Sequence, residues 1–223
     1  MSQRFFELNK DNTNMDFSRK VAEYLLSCEA VKLSPDKPFT WASGWKSPIY
    51  CDNRKTLAFP EIRNYIRDAL CEMVKHHYPE VEVIAGVATG AIAQGALVAD
   101  RLQLPFCYVR SAPKDHGLEN LVEGDIRKGQ KVVVIEDLIS TGGSSLKAVD
   151  ALRKTGAEVL GMVAIFSYKF DIAEQSFQQS QVSLQTLSNY NALIETAIEK
   201  KYIQPQWLEI LQQWRANPDK WGK

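Results

Sequence analysis

An excess of charge of either sign is the plainest thing this sequence lacks: 27 Lys and Arg stand against 27 Asp and Glu. Chains built for nucleic acid or for anionic membrane surfaces usually carry a basic surplus, so neither partner is expected. Cysteine is scarce as well. Cys28, Cys51, Cys71 and Cys107 share no metal-ligand spacing, which argues against a zinc module and a disulfide framework. Reduced thiols in a cytoplasmic protein are the expectation. Long hydrophobic runs are missing too. The most apolar stretch, residues 83–99, is interrupted by Gly86, Thr89, Gly90, Gln94 and Gly95, and is too short to cross a bilayer. No targeting segment is expected, because Met1-Ser2-Gln3-Arg4 leads into mixed aromatic and polar residues. Repeats, low-complexity tracts and obvious linkers do not occur.

What remains is an ordinary globular balance, 45% apolar and 24% charged, in 223 residues, most simply one domain spanning 1–223. Apolar periodicity alternates between helix and strand. Asn14 is a candidate cap for a helix through about Cys28, with Phe17, Val21, Tyr24 and Leu25 on one face. A short extended piece is expected near Ile49-Cys51. Pro60 opens a helix whose Ile62, Ile66, Leu70 and Val74 step by four. Then follow strand 81–87, helix 91–102, strand 106–110, a long polar loop, strand 132–135 with its helix, and strand 159–166 after Gly156. Such βαβ alternation predicts an α/β fold, a central parallel sheet flanked by helices, with ligands at the carboxyl ends of the strands. Its core sheet should span about 81–168.

Residues 131–145 carry the strongest chemical signal. Val132, Val133, Val134 and Ile135 read as a strand buried on both faces, and the acids Glu136 and Asp137 follow at once. Next come Ser140-Thr141-Gly142-Gly143-Ser144 and a helix marked by Leu146, Val149 and Leu152. Glycines let backbone approach a ligand, and the first amides of a helix have no intrahelical partner, so the turn suits a phosphate. Carboxylates accept paired hydrogen bonds, so the acids suit vicinal hydroxyls. Together they describe a ribose 5-phosphate site. A Walker-type loop would need Lys directly after its last glycine, and here Gly143 precedes Ser144 with Lys147 a turn later. A dinucleotide fingerprint would need spaced glycines. An ordinary capped strand-to-helix connection explains the small residues but not two acids ending a buried strand. Ala88-Thr89-Gly90-Ala91 is a second candidate anion turn between a strand and a helix.

The run Glu136-Asp137-Leu138-Ile139-Ser140-Thr141-Gly142-Gly143-Ser144 resembles the phosphoribosyl-pyrophosphate (PRPP) signature of the type I phosphoribosyltransferases. Two further segments resemble the orotate phosphoribosyltransferase family within them. One is Ser43-Gly44-Trp45-Lys46-Ser47-Pro48, like that family's N-terminal Ser-Gly-x-x-Ser-Pro. The other is Arg110-Ser111-Ala112-Pro113-Lys114-Asp115-His116-Gly117, like its mobile basic loop. The likeness runs from about Phe39 to Tyr168.

The resemblance implies the type I fold with a small N-terminal hood over about 1–55. It also implies transfer of the 5-phosphoribosyl group from PRPP to orotate, giving orotidine 5′-monophosphate and pyrophosphate in pyrimidine biosynthesis. Residues 136–144 then bind PRPP, and Thr89 and Gly90 hold its pyrophosphate. Arg110, Lys114 and His116 bind PRPP and neutralise the leaving group, with the loops shared across a homodimer. Magnesium is the implied cofactor, bridging donor oxygens rather than sitting in a dedicated protein cage. Ser140, Tyr50, Cys51 and Tyr168 are the implied orotate contacts.

Three positions depart from the family's best-known branch: Ala42 where a lysine often stands, Ser111 after Arg110, and Tyr168 where an arginine often reaches the base. Tyrosine can stack on a pyrimidine but cannot pair with its carboxylate. A transferase of this fold acting on a purine base, and a PRPP-binding regulatory relative, are the alternatives. Turnover of adenine or xanthine would mark the first. A basic surface would mark the second, and it would leave Arg110, Lys114 and His116 without a task. His76 and His77 read as solvated capping residues, and Trp207 and Trp214 as one face of a helix opened by Pro205. Trp41 and Trp45 either line the base pocket or cover the core edge.

Overall fold

The computed structural model describes residues 17–112 and 121–222. Helix α1 (Ser18–Ser27) buries Val21, Ala22, Leu25 and Leu26 and starts after Phe17; Asn14 lies outside the described residues. Four short strands follow: β1 (Val31–Leu33), β2 (Phe39–Thr40), β3 (Lys46–Ser47) and β4 (Ile49–Cys51). They pair antiparallel, β1 with β4 and β2 with β3, and form a small hood beside the main sheet. A 3₁₀ turn at Asn53–Ala58 leads into α2 (Pro60–His77), whose proline occupies the first turn, where no amide is needed.

The core then runs β5 (Val83–Val87), α3 (Ile92–Leu102), β6 (Phe106–Val109), β7 (Val122–Glu123), β8 (Lys131–Ile139), α4 (Gly143–Lys154) and β9 (Glu158–Ser167). Beyond it lie α5 (Asp171–Gln179), β10 (Leu184–Asn189), α6 (Tyr190–Glu199) and α7 (Leu208–Ala216). One six-stranded sheet runs in the order β10-β9-β8-β5-β6-β7, parallel throughout except for β7, which pairs antiparallel with β6. The α/β class and the parallel sheet agree with the sequence pattern. Val132, Val133, Val134 and Ile135 are wholly buried in β8, each worth about 1.5–3 kcal/mol of apolar burial.

β8 differs from expectation in its length. Its apolar run ends at Ile135, yet the strand continues through Glu136 and Asp137 to Ile139. The ten-residue β9 supplies the reason, since it keeps offering ladder partners up to Ile139↔Ser167. The C-terminal segment, which carries no sequence motif, adds edge strand β10 and braces the hood. Trp214 of α7 is fully buried and donates from Nε1 to Lys46 O at 3.1 Å. Trp41 donates to Ile49 O at 3.0 Å and packs edge-on against Trp214, with ring centroids 5.7 Å apart.

Candidate active site

Register decides where the sheet opens. β5 follows β8 only from Val83↔Val132 to Gly86↔Ile135, whereas β9 follows it four residues further. From Glu136 onward β8 is therefore paired with a neighbouring strand on one side alone. This gap is also where the order reverses, with β9 and β10 to one side and β5, β6 and β7 to the other. Ligands collect at such a switch point. A cavity of about 280 Å³ fills it, lined by Ala88, Thr89 and Gly90 from one loop and by Glu136, Asp137 and Leu138 from β8. Ser140, Thr141, Gly142, Ser144 and Ser145 close its other wall.

The acid pair is held tightly. Glu136 is 4% exposed; its Oε2 accepts from Ser145 Oγ at 2.8 Å and its Oε1 from the Asp137 amide at 2.9 Å. Burial pushes its carboxyl well above the usual carboxylate range, and the neighbouring Asp137 charge adds to the rise. Burial raises Asp137 too, against the hydrogen bond to Glu136 and the nearby Arg54 charge, which pull it down. Asp137 lies directly on the backbone of Gly90. A Cβ at position 90 would stand 2.7 Å from Asp137 Oδ1 and closer still to Oδ2, so this contact requires glycine. The loop backbone and the carboxylate thus meet without a side chain between them.

The phosphate end follows from Gly142, whose φ of +83° is left-handed and whose missing Cβ makes room for the Phe177 ring. Leu146 N makes the first helical bond back to Gly142 O, at 2.9 Å. The amides of Gly143, Ser144 and Ser145 precede it and have no partner within the helix. Gly143 and Ser144 also border a second cavity of about 460 Å³ that contains Arg110, Ser111, Lys147 and Lys154. The two cavities share Val87, Ala88 and Ser144. Arg110, on the wall of that second cavity, stands 3.6 Å from Glu123.

Of the residues read from sequence, the structure gathers Thr89, Gly90, Glu136, Asp137, Leu138, Ser140, Thr141, Gly142 and Ser144 around the first cavity. Gly143 and Arg110 fall around the second. Ile139 is wholly buried beneath them. Lys114 and His116 lie outside the described residues. Tyr50 is 43% exposed on the hood, and Cys51 Sγ donates to Asn53 Oδ1 at 3.2 Å. Tyr168 is not brought to the cavity, contrary to its expected contact with the base. It is 1% exposed and walled in by Trp41, Phe166, Phe170 and Trp214, with centroids 5.2–5.8 Å away. The aromatic cluster takes its ring, so the position serves packing.

Three contributors escaped sequence reading. Ser145 caps Glu136. Asn53, 2% exposed, donates from Nδ2 to Asp137 O at 2.5 Å and ties the hood to the signature strand. Arg54 is forked onto Asp52, with Nε and Nη2 at 2.6 and 3.1 Å. No local spacing signals a contact across 84 positions. Among the described residues no three His, Cys, Asp or Glu side chains converge as a metal cluster, and no helix is long and apolar enough to cross a membrane.

The raised Glu136 pKa has a measurable sign. A carboxyl that holds its proton more tightly when folded favours the fold at acid pH, and that advantage disappears as pH rises through the folded pKa. Glu136→Gln removes the charge, and each tenfold change in proton affinity is worth about 1.4 kcal/mol. The variant is expected to stabilise the ligand-free protein by about 1–2 kcal/mol near pH 9 and far less near pH 5. Thermal unfolding at both pH values checks this; equal gains at both would exclude charge burial as the cause.

Residues 57–199 match the family model described as a phosphoribosyl transferase domain. An orotate phosphoribosyltransferase of Cytophaga hutchinsonii is 57% identical over 209 residues, covering 94% of this chain and 100% of that relative. Another, from Porphyromonas gingivalis, is 59% identical over 202 residues, covering 91% and 96%. The crystal structure of orotate phosphoribosyltransferase from Aeropyrum pernix aligns with a TM-score of 0.71 at 29% identity, over 82% of this chain and 99% of that one.

Proposed function

The chain belongs to the orotate phosphoribosyltransferase family, and from that premise we propose how its own residues divide the labour. The reaction moves the 5-phosphoribosyl group of PRPP onto a ring nitrogen of orotate, giving orotidine 5′-monophosphate and pyrophosphate in pyrimidine biosynthesis. One observation carries the assignment of roles. Two carboxylates, buried Glu136 and half-buried Asp137, sit at an open strand fork between a glycine-backed loop and the free amides of α4.

In this reading the 5-phosphate occupies the turn 140–145, where helix-terminal amides and the Ser140, Thr141 and Ser144 hydroxyls donate to it. Glu136 and Asp137 accept from the two ribose hydroxyls. The Gly90 approach holds Asp137 in place and brings the Thr89–Gly90 backbone to the pyrophosphate. As the glycosidic bond breaks, positive charge grows on the ribose and negative charge on the leaving oxygens. The acids face the first and Arg110, Lys114 and His116 neutralise the second. The orotate ring meets the Tyr50–Cys51 backbone and Ser140.

Mg²⁺ fits the donor set, because Glu136 and Asp137 offer hard carboxylate oxygens at the edge of the cavity. Asp137 and Glu136 would border its shell, and when bound it would neutralise pyrophosphate oxygens. The catalytic unit in this reading is a homodimer in which the basic loop serves the partner's site. It works in the cytoplasm, where the four cysteines stay free thiols.

Mixing the protein with PRPP, Mg²⁺ and orotate tests the reading. Orotate absorbance is expected to fall as pyrophosphate appears. Orotate left intact while adenine or xanthine is consumed would overturn it in favour of a purine base.

A further inference from the structure

Orotate differs from uracil by one ring carboxylate, and a site that takes the acid must offer it a cation or strong donors. Tyr168 cannot, being enclosed by aromatic rings. Other cations close by in the fold are engaged elsewhere. Lys46 Nζ donates to Thr40 Oγ1 at 2.8 Å, Lys169 stands 3.6 Å from Glu174, and Arg215 donates to the carbonyls of Tyr168 and Lys169. Arg110 faces Glu123 beyond β5, on the side of the second cavity.

Resting on the orotate reading above, we propose that Arg54 is the specificity-determining residue that holds the carboxylate of the base. Its placement follows from its neighbours. Asn53 is pinned to Asp137 O at 2.5 Å, so residue 54 comes next to the acid that grips the ribose. On its other side the chain leads back through Asp52 to Cys51 and Tyr50, the hood edge assigned to the base. In this reading the base, joined to the ribose anomeric carbon, extends from Asp137 toward that edge. Arg54 is held charged chiefly by its hydrogen bond to Asp52, with smaller contributions from Asp137 and Tyr50, and its charge pulls Asp137 down against the rise from burial.

Arg54 is also preorganised. Asp52 takes Nε and Nη2 in a fork, which fixes the plane of the group. Nη1 has no partner among the described residues and keeps two N–H donors for an incoming carboxylate. Arginine remains charged at every relevant pH, so the contact needs no proton adjustment. Asp52 serves as a positioning residue: it aims the fork while leaving the outer edge free.

The test compares orotidine 5′-monophosphate with uridine 5′-monophosphate, which share phosphate, ribose and ring and differ by the carboxylate. Binding of both to wild type and to Arg54→Ala is measured as competitive inhibition against PRPP. The variant is expected to lower the affinity ratio of the two nucleotides by about 10- to 100-fold, the worth of one charge-assisted contact. Uridine 5′-monophosphate affinity and the KM for PRPP should stay within about twofold. Arg54→Lys, which keeps charge but loses the fork, should fall in between; Arg54→Gln stands in if the alanine variant unfolds early. An unchanged ratio, or equal weakening of both nucleotides, would overturn the role of Arg54 while orotate turnover by wild type leaves the family reaction standing. Wild type that fails to consume orotate would overturn both.

Discussion

Gly90→Ala is expected to lower kcat/KM for PRPP by about 100-fold or more while shifting Tm by only a few degrees. The added methyl group would sit 2.7 Å from Asp137 Oδ1 and nearer to Oδ2, inside any permitted contact. Asp137 cannot yield by moving its backbone. Its carbonyl is bound by Asn53, and β8 is laddered to β9 at Glu136↔Ala164 and Leu138↔Phe166 to either side. The side chain must therefore swing off the ribose position or the 88–91 loop must retreat from the pyrophosphate. Either movement misplaces a charged group by about an ångström, a displacement worth roughly two orders of magnitude in rate. Stability suffers little, because the contact lies at the mouth of a cavity rather than in the packed core. Steady-state kinetics with varied PRPP, beside a thermal melt, checks this; near-wild-type kcat/KM would mean that Asp137 does not grip the donor from its observed position.

Lys114→Ala should cost about 10²- to 10³-fold in kcat, with an unchanged melting temperature. The leaving pyrophosphate gathers negative charge as the bond breaks, and a cation placed there acts far more strongly once water is excluded. Loss of an ammonium from the loop removes that stabilisation. Exchange of subunits adds a second reading. If loops are shared, a dimer combining a Lys114→Ala chain with an Asp137→Asn chain contains one intact site. Random mixing would then restore about a quarter of wild-type activity. Full activity of the single variant would remove the lysine from the mechanism, and no recovery on mixing would remove the sharing.

The parts legible in the sequence were those written locally. Val132 to Ile135 followed by two acids and a Ser/Thr/Gly turn name a strand, a cavity edge and a helix start within fifteen residues, and the structure sets them around one cavity. The length of β8 was not legible. Glu136 and Asp137 look like the end of a strand, and only β9 on one side and the early end of β5 on the other keep them extended yet open. Ser145 as the cap of Glu136 and Asn53 as the clamp on Asp137 depend on distant pairing, for which a hydroxyl or an amide in sequence gives no sign. Tyr168 shows the opposite failure. Resemblance to the family set it where an arginine often reaches the base, but Trp41, Phe170 and Trp214, spread over more than 170 positions, close around its ring. The hood's dependence on α7 had no motif to reveal it, since a buried Trp214 hydrogen-bonded to Lys46 is a property of packing.

The most direct measurement is a crystal structure of the protein soaked with PRPP and Mg²⁺. Density for the 5-phosphate against the amides of Gly143, Ser144 and Ser145, with both ribose hydroxyls on Glu136 and Asp137, is the expected result. A sugar lodged elsewhere, with that turn empty and the two acids still bound only to Ser145 and backbone, would contradict it.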